Sequence, residues 1–174
     1  SHNTVKDRVL KPGSPAILFI DTAGCGFNEK KEGTRISNPE EAAFLIKRVE
    51  EFLSGLERIS VGIISPYKQQ IQYLESSLAE TDLAAKHSIS TNTVDSFQGQ
   101  ERDAIFISIT RSNADGEIGF LADTRRTNVA ITRAKKLLVM VGDSATIGKS
   151  NFYSQLIDYF QSNDAYKSAW EYLN

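Results

Sequence analysis

Four short apolar runs limit what this chain can fold into. They are Ala16-Ile17-Leu18-Phe19-Ile20, Ile59 to Ile64, Ala104-Ile105-Phe106-Ile107-Ser108-Ile109 and Lys136 to Gly142. Runs of this length, apolar on both faces, read as strands covered on both sides, as in the middle of a parallel sheet. Ile89 to Val94 is a more polar strand. Helical spacing fills the gaps. Ala42, Leu45, Val49 and Phe52 mark a helix over 39–55, and Ile71, Leu74 and Leu78 one over about 66–80. Asn38-Pro39-Glu40-Glu41 is a helix start, with a cap residue, proline at the first position and acids at the positive end of the dipole. Ser65-Pro66 repeats the cap-then-proline signal. Further helices are expected over about 124–135, Phe152 to Phe160 and Tyr166 to Leu173. Residues 1–15 read as a lead-in loop, with Ser1-His2 as a tag remnant, and residues 16–174 as one domain. Thr22 to Asn38 and Ser112 to Asp123 read as loops. Strands alternating with helices predict a doubly wound α/β domain with a parallel sheet.

In such sheets ligands sit beyond the carboxyl ends of the strands. Two polar stretches fall at strand exits: Ser65-Pro66-Tyr67, and Thr93-Val94-Asp95-Ser96-Phe97-Gln98-Gly99-Gln100-Glu101-Arg102-Asp103. The counterpart of the second is Asn128-Val129-Ala130-Ile131-Thr132-Arg133-Ala134-Lys135. Gly99 lets the backbone approach a ligand closely. Glu101 can accept hydrogen bonds from hydroxyls such as a ribose, hold a metal-bound water, or be a plain surface acid. The Arg133 fork suits a transferring γ-phosphoryl group, or simply complements a helix dipole. Two helical turns set Arg126 on the same face as Arg133. Arg125 and Arg126 are either solvated or against a nucleic-acid backbone. Thr93, Asp95 and Ser96 either contact phosphodiesters or cap a turn. Gln69, Gln70 and Gln72 are expected on the exposed face of their helix, and the lone His87 reads as structural. No ligand-spaced cluster suggests a metal site, and no nucleophile–base pair is visible.

Gly142 to Ser150 ends in Gly-Lys-Ser after a strand, as a phosphate loop does. That loop needs four residues between its glycines and here there are five, so the stretch reads as an ordinary strand-to-helix turn. Net charge is −2, which argues against a broad basic surface, so any nucleic-acid contact is expected to be local. Cys25 is the single cysteine, so no internal disulfide is possible, which suits a reducing intracellular setting. No apolar run approaches the length of a membrane span.

Together these segments resemble the second RecA-like domain of superfamily 1 helicases. The nearest group is superfamily 1B, which includes the nonsense-mediated-decay helicase and the replication helicase–nuclease. Ser65-Pro66-Tyr67-Lys68-Gln69-Gln70 resembles motif IV, and Thr93 to Asp103 resembles motif V. Gly119-Phe120-Leu121 with Arg125-Arg126-Thr127-Asn128-Val129-Ala130-Ile131-Thr132-Arg133-Ala134-Lys135 resembles motif VI. Phe19-Ile20-Asp21-Thr22 and the helix start at Asn38 also fit, so the likeness covers almost the whole chain.

The resemblance implies a RecA-like, P-loop NTPase-type sheet without a phosphate loop of its own. It implies that Arg133 is an arginine finger reaching the γ-phosphate of ATP held on another RecA-like domain. Gly99, Glu101, Gln98, Tyr67 and Arg126 would face the nucleotide, with Gln98 lying between the two ligands. Thr93, Asp95 and Ser96 would face single-stranded DNA or RNA. Some members carry an arginine after the last glutamine of motif IV. Here Ile71 stands there, so that contact is either missing or supplied by another residue such as Lys68 or Arg126. Walker A, Walker B and the adenine-binding glutamine motif are absent from this sequence and belong to the first RecA-like domain. ATP and Mg2+ would be bound mainly there, and this domain alone would be inactive. The implied function is the C-terminal motor domain of a 5′-to-3′ helicase in DNA repair or RNA processing. The alternative is a non-catalytic module of the same fold that binds nucleic acid or a protein.

Overall fold

The computed structural model describes residues 9–97 and 99–173. Strand β1 is Ile17–Asp21, and a hairpin of β2 (Lys30–Glu32) and β3 (Arg35–Ser37) follows it. Helix α1 is Pro39–Leu53, β4 is Ser60–Ile64, α2 is Lys68–Ala79, α3 is Leu83–Lys86 and β5 is Ser88–Asn92. A 3-10 turn, Val94–Phe97, leads to β6, Arg102–Ser108, and a second, Gly119–Ala122, to α4, Thr124–Ile131. The chain ends with β7 (Ala134–Gly142), α5 (Ser144–Ile147), α6 (Asn151–Ser162), β8 (Tyr166–Ser168) and a 3-10 turn, Ala169–Tyr172. Six strands form one sheet in the order β5-β4-β6-β7-β1-β8, and every pairing in it is parallel. The arrangement is RecA-like.

Two apolar layers cover the sheet. On one face Leu45, Val49, Ile71 and Leu74 from α1 and α2 pack on Leu18, Ile20, Val61, Ile63, Phe106 and Val139. On the other Leu121, Ala130, Tyr153, Ile157 and Phe160 pack on Phe19, Ile64, Ile105, Ile107 and Met140. The period-2 alternation of side chains sends successive strand residues to opposite layers, so both faces must be apolar. Helix α1 starts as its sequence dictates: Asn38 Oδ1 accepts from the Glu41 amide at 3.1 Å, with Pro39 at the first position. Such a cap contributes about 1 kcal/mol. His87 is buried and its Nδ1 accepts from the Ile59 amide at 3.2 Å. Burial, then the nearby Arg58 charge, lowers its pKa.

Several sequence expectations are corrected. Tyr166 to Leu173 is not a helix but β8 and a 3-10 turn. The outer edge of β1 would otherwise carry unpaired backbone groups, and the Phe19 amide donates to Ala165 O at 2.8 Å beside a Phe19–Tyr166 ring stack. Helix α4 stops at Ile131, because β7 pairs with β6 from Ala134 onward and the Arg102 amide donates to Arg133 O at 2.9 Å. Arg133 therefore lies in a connection and shares no helix face with Arg126. The stretch expected as a loop from Thr22 to Asn38 contains the β2–β3 hairpin. Gln70 is fully buried, unlike the exposed Gln72 and half-buried Gln69. Its amide accepts from Asn38 N at 2.8 Å and donates to Asn38 O and Ser108 Oγ, both at 3.0 Å, joining α1, α2 and β6.

Candidate functional site

The stretch from Thr93 to Asp103 is a crossover. Strands β5 and β6 run parallel, so residues 93–101 return the chain from the carboxyl edge of one to the amino edge of the other. Such connections usually need a dozen or more residues and a helix. Among its described residues this one has a single 3-10 turn, pinned by Phe97, which is 1% exposed. Phe97 seats where Gly62 of β4 leaves room: a Cβ there would stand 2.8 Å from the Phe97 ring and 2.7 Å from Ile105. The Arg102 guanidinium covers the ring at 5.1 Å.

The crossover therefore separates the predicted residues into two groups. Thr93, Asp95, Tyr67 and Arg126 share a groove of about 590 Å³ at the carboxyl edge, with Arg35 and Phe120 also in its wall. Arg126 Nη2 lies 3.0 Å from Asp95 Oδ2. Ser96 is exposed, and its amide donates to Thr93 O at 3.2 Å. Gly99, Glu101 and Arg133 instead lie at the amino edge of β6 and β7. Gly99 has φ +74°, with open space where a side chain would be. Glu101 is exposed. Arg133 Nη2 donates to Thr132 Oγ1 at 3.2 Å, while its Nε is shielded from solvent and has no partner among the described residues. Gln98 lies outside the described residues.

A buried polar hub stands behind the groove. The Tyr67 hydroxyl accepts from Arg111 Nη1 and from the Phe120 amide, each at 3.1 Å, and donates to Ile118 O at 3.2 Å. Arg111 is 4% exposed and forms a fork on Glu29, with Nε to Oε1 at 2.9 Å and Nη2 to Oε2 at 3.2 Å. Burial pulls the Glu29 pKa up, but bonds from Arg111, Asn113 and the Ser112 amide outweigh it and leave the carboxyl below its ordinary value. Burial likewise works against the Arg111 charge, and its bonds to Glu29 and Tyr67 raise its pKa in net. Gly119 explains how two backbone groups reach one hydroxyl. At φ +51°, a Cβ there would stand 2.4 Å from Arg111 Nη1 and 2.6 Å from the Tyr67 oxygen. Tyr67 is 4% exposed because its ring stacks on Phe120 at 5.1 Å, whereas Phe120 is 56% exposed. The exposed aromatic of the groove is thus Phe120.

Sequence reasoning missed Glu29, Arg35 and Arg111 and gave Phe120 no role. Arg111 carried a signal, being a cation two residues beyond the apolar run that ends at Ile109. The Gly-Lys-Ser stretch folds as a turn: Asp143 Oδ1 caps α5 by accepting from Ala145 N at 2.9 Å, and Lys149 Nζ donates to Ala114 O at 3.3 Å.

The RecA-like sheet thus carries an arginine and a glycine–glutamate pair at one edge and a groove at the other, and its similarity to known proteins makes it a helicase-type domain. Residues 1–145 match a family profile described as an AAA domain. The chain is 36% identical over its whole length to the rat (Rattus norvegicus) DNA-binding protein SMUBP-2, covering 18% of that protein. It is 36% identical to the Xenopus tropicalis DNA replication ATP-dependent helicase/nuclease DNA2, over 92% of this chain and 15% of that one. A third relative is the Dictyostelium discoideum regulator of nonsense transcripts 1, 36% identical over 88% of this chain and 12% of that one. The chain spans less than a fifth of the length of these relatives. It belongs to the AAA domain family, in the superfamily 1 helicase group of the DNA2 and nonsense-mediated-decay proteins.

Proposed function

We propose that residues 16–174 are the second RecA-like domain of an intracellular, ATP-dependent DNA or RNA helicase, supplying the arginine finger to a nucleotide held chiefly by the first RecA-like domain of the same polypeptide. The observation that carries this reading is Arg133 Nε, shielded and without a partner among the described residues, at the same sheet edge as Gly99 and Glu101. A shielded guanidinium N–H with no acceptor costs about 1–3 kcal/mol, and an anionic ligand removes that cost. The names of the relatives, a helicase/nuclease and a DNA-binding protein, support the same reading.

ATP with Mg2+ supplies, when bound, the phosphoanhydride whose hydrolysis powers movement. The chain's own residues hold and orient. The Arg133 fork neutralises charge on the transferring phosphoryl, an effect worth roughly 10³–10⁵ in rate. Gly99 brings the backbone close, and Glu101 accepts hydrogen bonds from a sugar hydroxyl. Gln98, outside the described residues, is the one that the family resemblance would set between the two ligands. Thr93, Asp95 and Ser96 approach the single strand at the other edge. The phosphate cradle, metal acids and water-activating base come from the first domain, so this domain alone does not turn over ATP.

In the full-length protein, Arg133→Ala is expected to lower the ATPase rate by at least about 10³-fold with nucleotide affinity mostly retained. Near-normal turnover would remove Arg133 from the role.

A further inference from the structure

We propose that the groove at the carboxyl edge is a single-strand track in which Phe120 is a base-stacking platform and Arg35, at the tip of the β2–β3 hairpin, is a phosphate contact. The proposal rests on the helicase reading above, which already sets Thr93, Asp95 and Ser96 against a single strand; it adds a task for Phe120, which that reading left without one, and for Arg35, which lies in none of the matched motifs. It also draws Tyr67 and Arg126 into the track and away from the nucleotide.

Charge gives the first argument. The chain is net negative, at −2, yet the groove wall carries three cations, Arg35, Lys68 and Arg126, against one carboxylate, Asp95. Asp95 is tied to Arg126. Arg35 and Lys68 are exposed and make no side-chain bond among the described residues; Glu32 stands across the hairpin from Arg35 but outside the groove wall, which thus presents two cations with no bonded carboxylate. Between them stand Thr34, Gln69, Gln72 and Thr93, polar side chains that read no particular base. A polyanion with a flexible backbone fits this wall, and an acidic peptide would leave the aromatic ring unused.

The ring gives the second argument. One face of Phe120 lies on Tyr67, and 56% of the residue is still open to solvent. Exposed aromatics beside cations are how sequence-tolerant proteins hold unpaired bases. A duplex offers such a ring no free base face, so the occupant is single-stranded.

Rigidity gives the third. Glu29 and Arg111 join the segment before the hairpin to the hub that fixes the Phe120 amide. Lys31 of the hairpin also meets Glu117, three residues before Phe120, at 3.5 Å. The Arg35 wall and the Phe120 wall are thus parts of one framework, held at a set spacing before any ligand arrives.

The test is fluorescence anisotropy of the 174-residue chain with labelled oligothymidylate, and with an abasic strand of equal length. Phe120→Ala should weaken thymidylate binding roughly 5- to 150-fold and leave abasic binding unchanged. Arg35→Ala should weaken both strands and make the slope of log affinity against log salt shallower by roughly 0.7. Both side chains are exposed, and matching far-UV spectra would show that both variants fold. If wild type binds and neither variant differs from it, the proposal falls while the helicase reading stands. If Phe120→Ala weakens abasic binding equally, the stacking role falls. If millimolar ATP displaces the strand from wild type, the groove is a nucleotide site and the proposal falls. No binding by wild type even at low salt would sink the track proposal, whereas the Arg133 measurement tests the helicase reading independently.

Discussion

Tyr67→Phe removes one oxygen and nothing else, so it tests the hub directly. Three groups lose a partner: Arg111 Nη1 and the Phe120 amide at 3.1 Å, and Ile118 O at 3.2 Å. They are not equivalent. Phe120 and Ile118 are on a partly exposed loop where water can replace the hydroxyl, at a small cost. Arg111 is 4% exposed, and its freed N–H finds no water, which costs about 1–3 kcal/mol. The glutamate fork on the other side of the guanidinium is untouched, so the ion stays paired. The sum is a loss of about 2 kcal/mol, or a Tm lower by about 4–8 °C for a chain of this length. Urea unfolding of wild type and variant, with the same m value, measures it. A loss under about 0.5 kcal/mol would refute the claim that this hydroxyl is the acceptor for Arg111. Strand affinity gives a second readout, because the same oxygen holds the Phe120 amide.

Gly62→Ala should cost about 1–3 kcal/mol by overpacking, since the new methyl would sit 2.7 Å from Ile105 and 2.8 Å from Phe97; unchanged thermal unfolding would show that Phe97 is free to move. Glu41 is fully buried, and burial raises its pKa from 4.5 to about 8 against the opposing bonds from Ser108 and Thr110. The folded chain then holds this proton more tightly than the unfolded chain. Its stability contribution is complete below pH 4.5 and is lost as pH rises to about 8, a fall on the order of 3–5 kcal/mol. Glu41→Gln should flatten that fall in denaturation curves taken from pH 5 to 8, and an equally steep slope in the variant would clear Glu41 of it.

The sheet was legible because β1, β4, β6 and β7 are apolar on both faces, and only a covered parallel strand wants that pattern. Helix α1 was legible for a local reason, its cap and proline. Tyr166 to Leu173 was misread because its spacing suits a helix, whereas its fate is decided by an unpaired edge of β1, far away in sequence. Gln70 was misread because three glutamines look alike in sequence, and only the meeting of α1, α2 and β6 makes one of them structural. Likewise Arg133 looked helical until its neighbours were captured by β6. In the site, the motif residues were picked out by family resemblance, which also set Thr93 to Ser96 apart from Gly99 and Glu101; that Tyr67 and Arg126 share an edge with Thr93 was not legible, because it depends on the direction of a crossover. Arg111 and Glu29 were missed as a pair because 82 residues separate them.

The short crossover has a mechanical consequence. It must retrace a five-residue strand, about 17 Å, with nine residues that span about 30 Å at full stretch, some of which the 3-10 turn consumes. Thr93 and Glu101 are therefore held within a shorter reach of each other than the ends of a long, helix-containing crossover would be. The segment's midpoint is fixed where Phe97 packs over Gly62. One inserted residue would slacken it without touching a single side chain at either end.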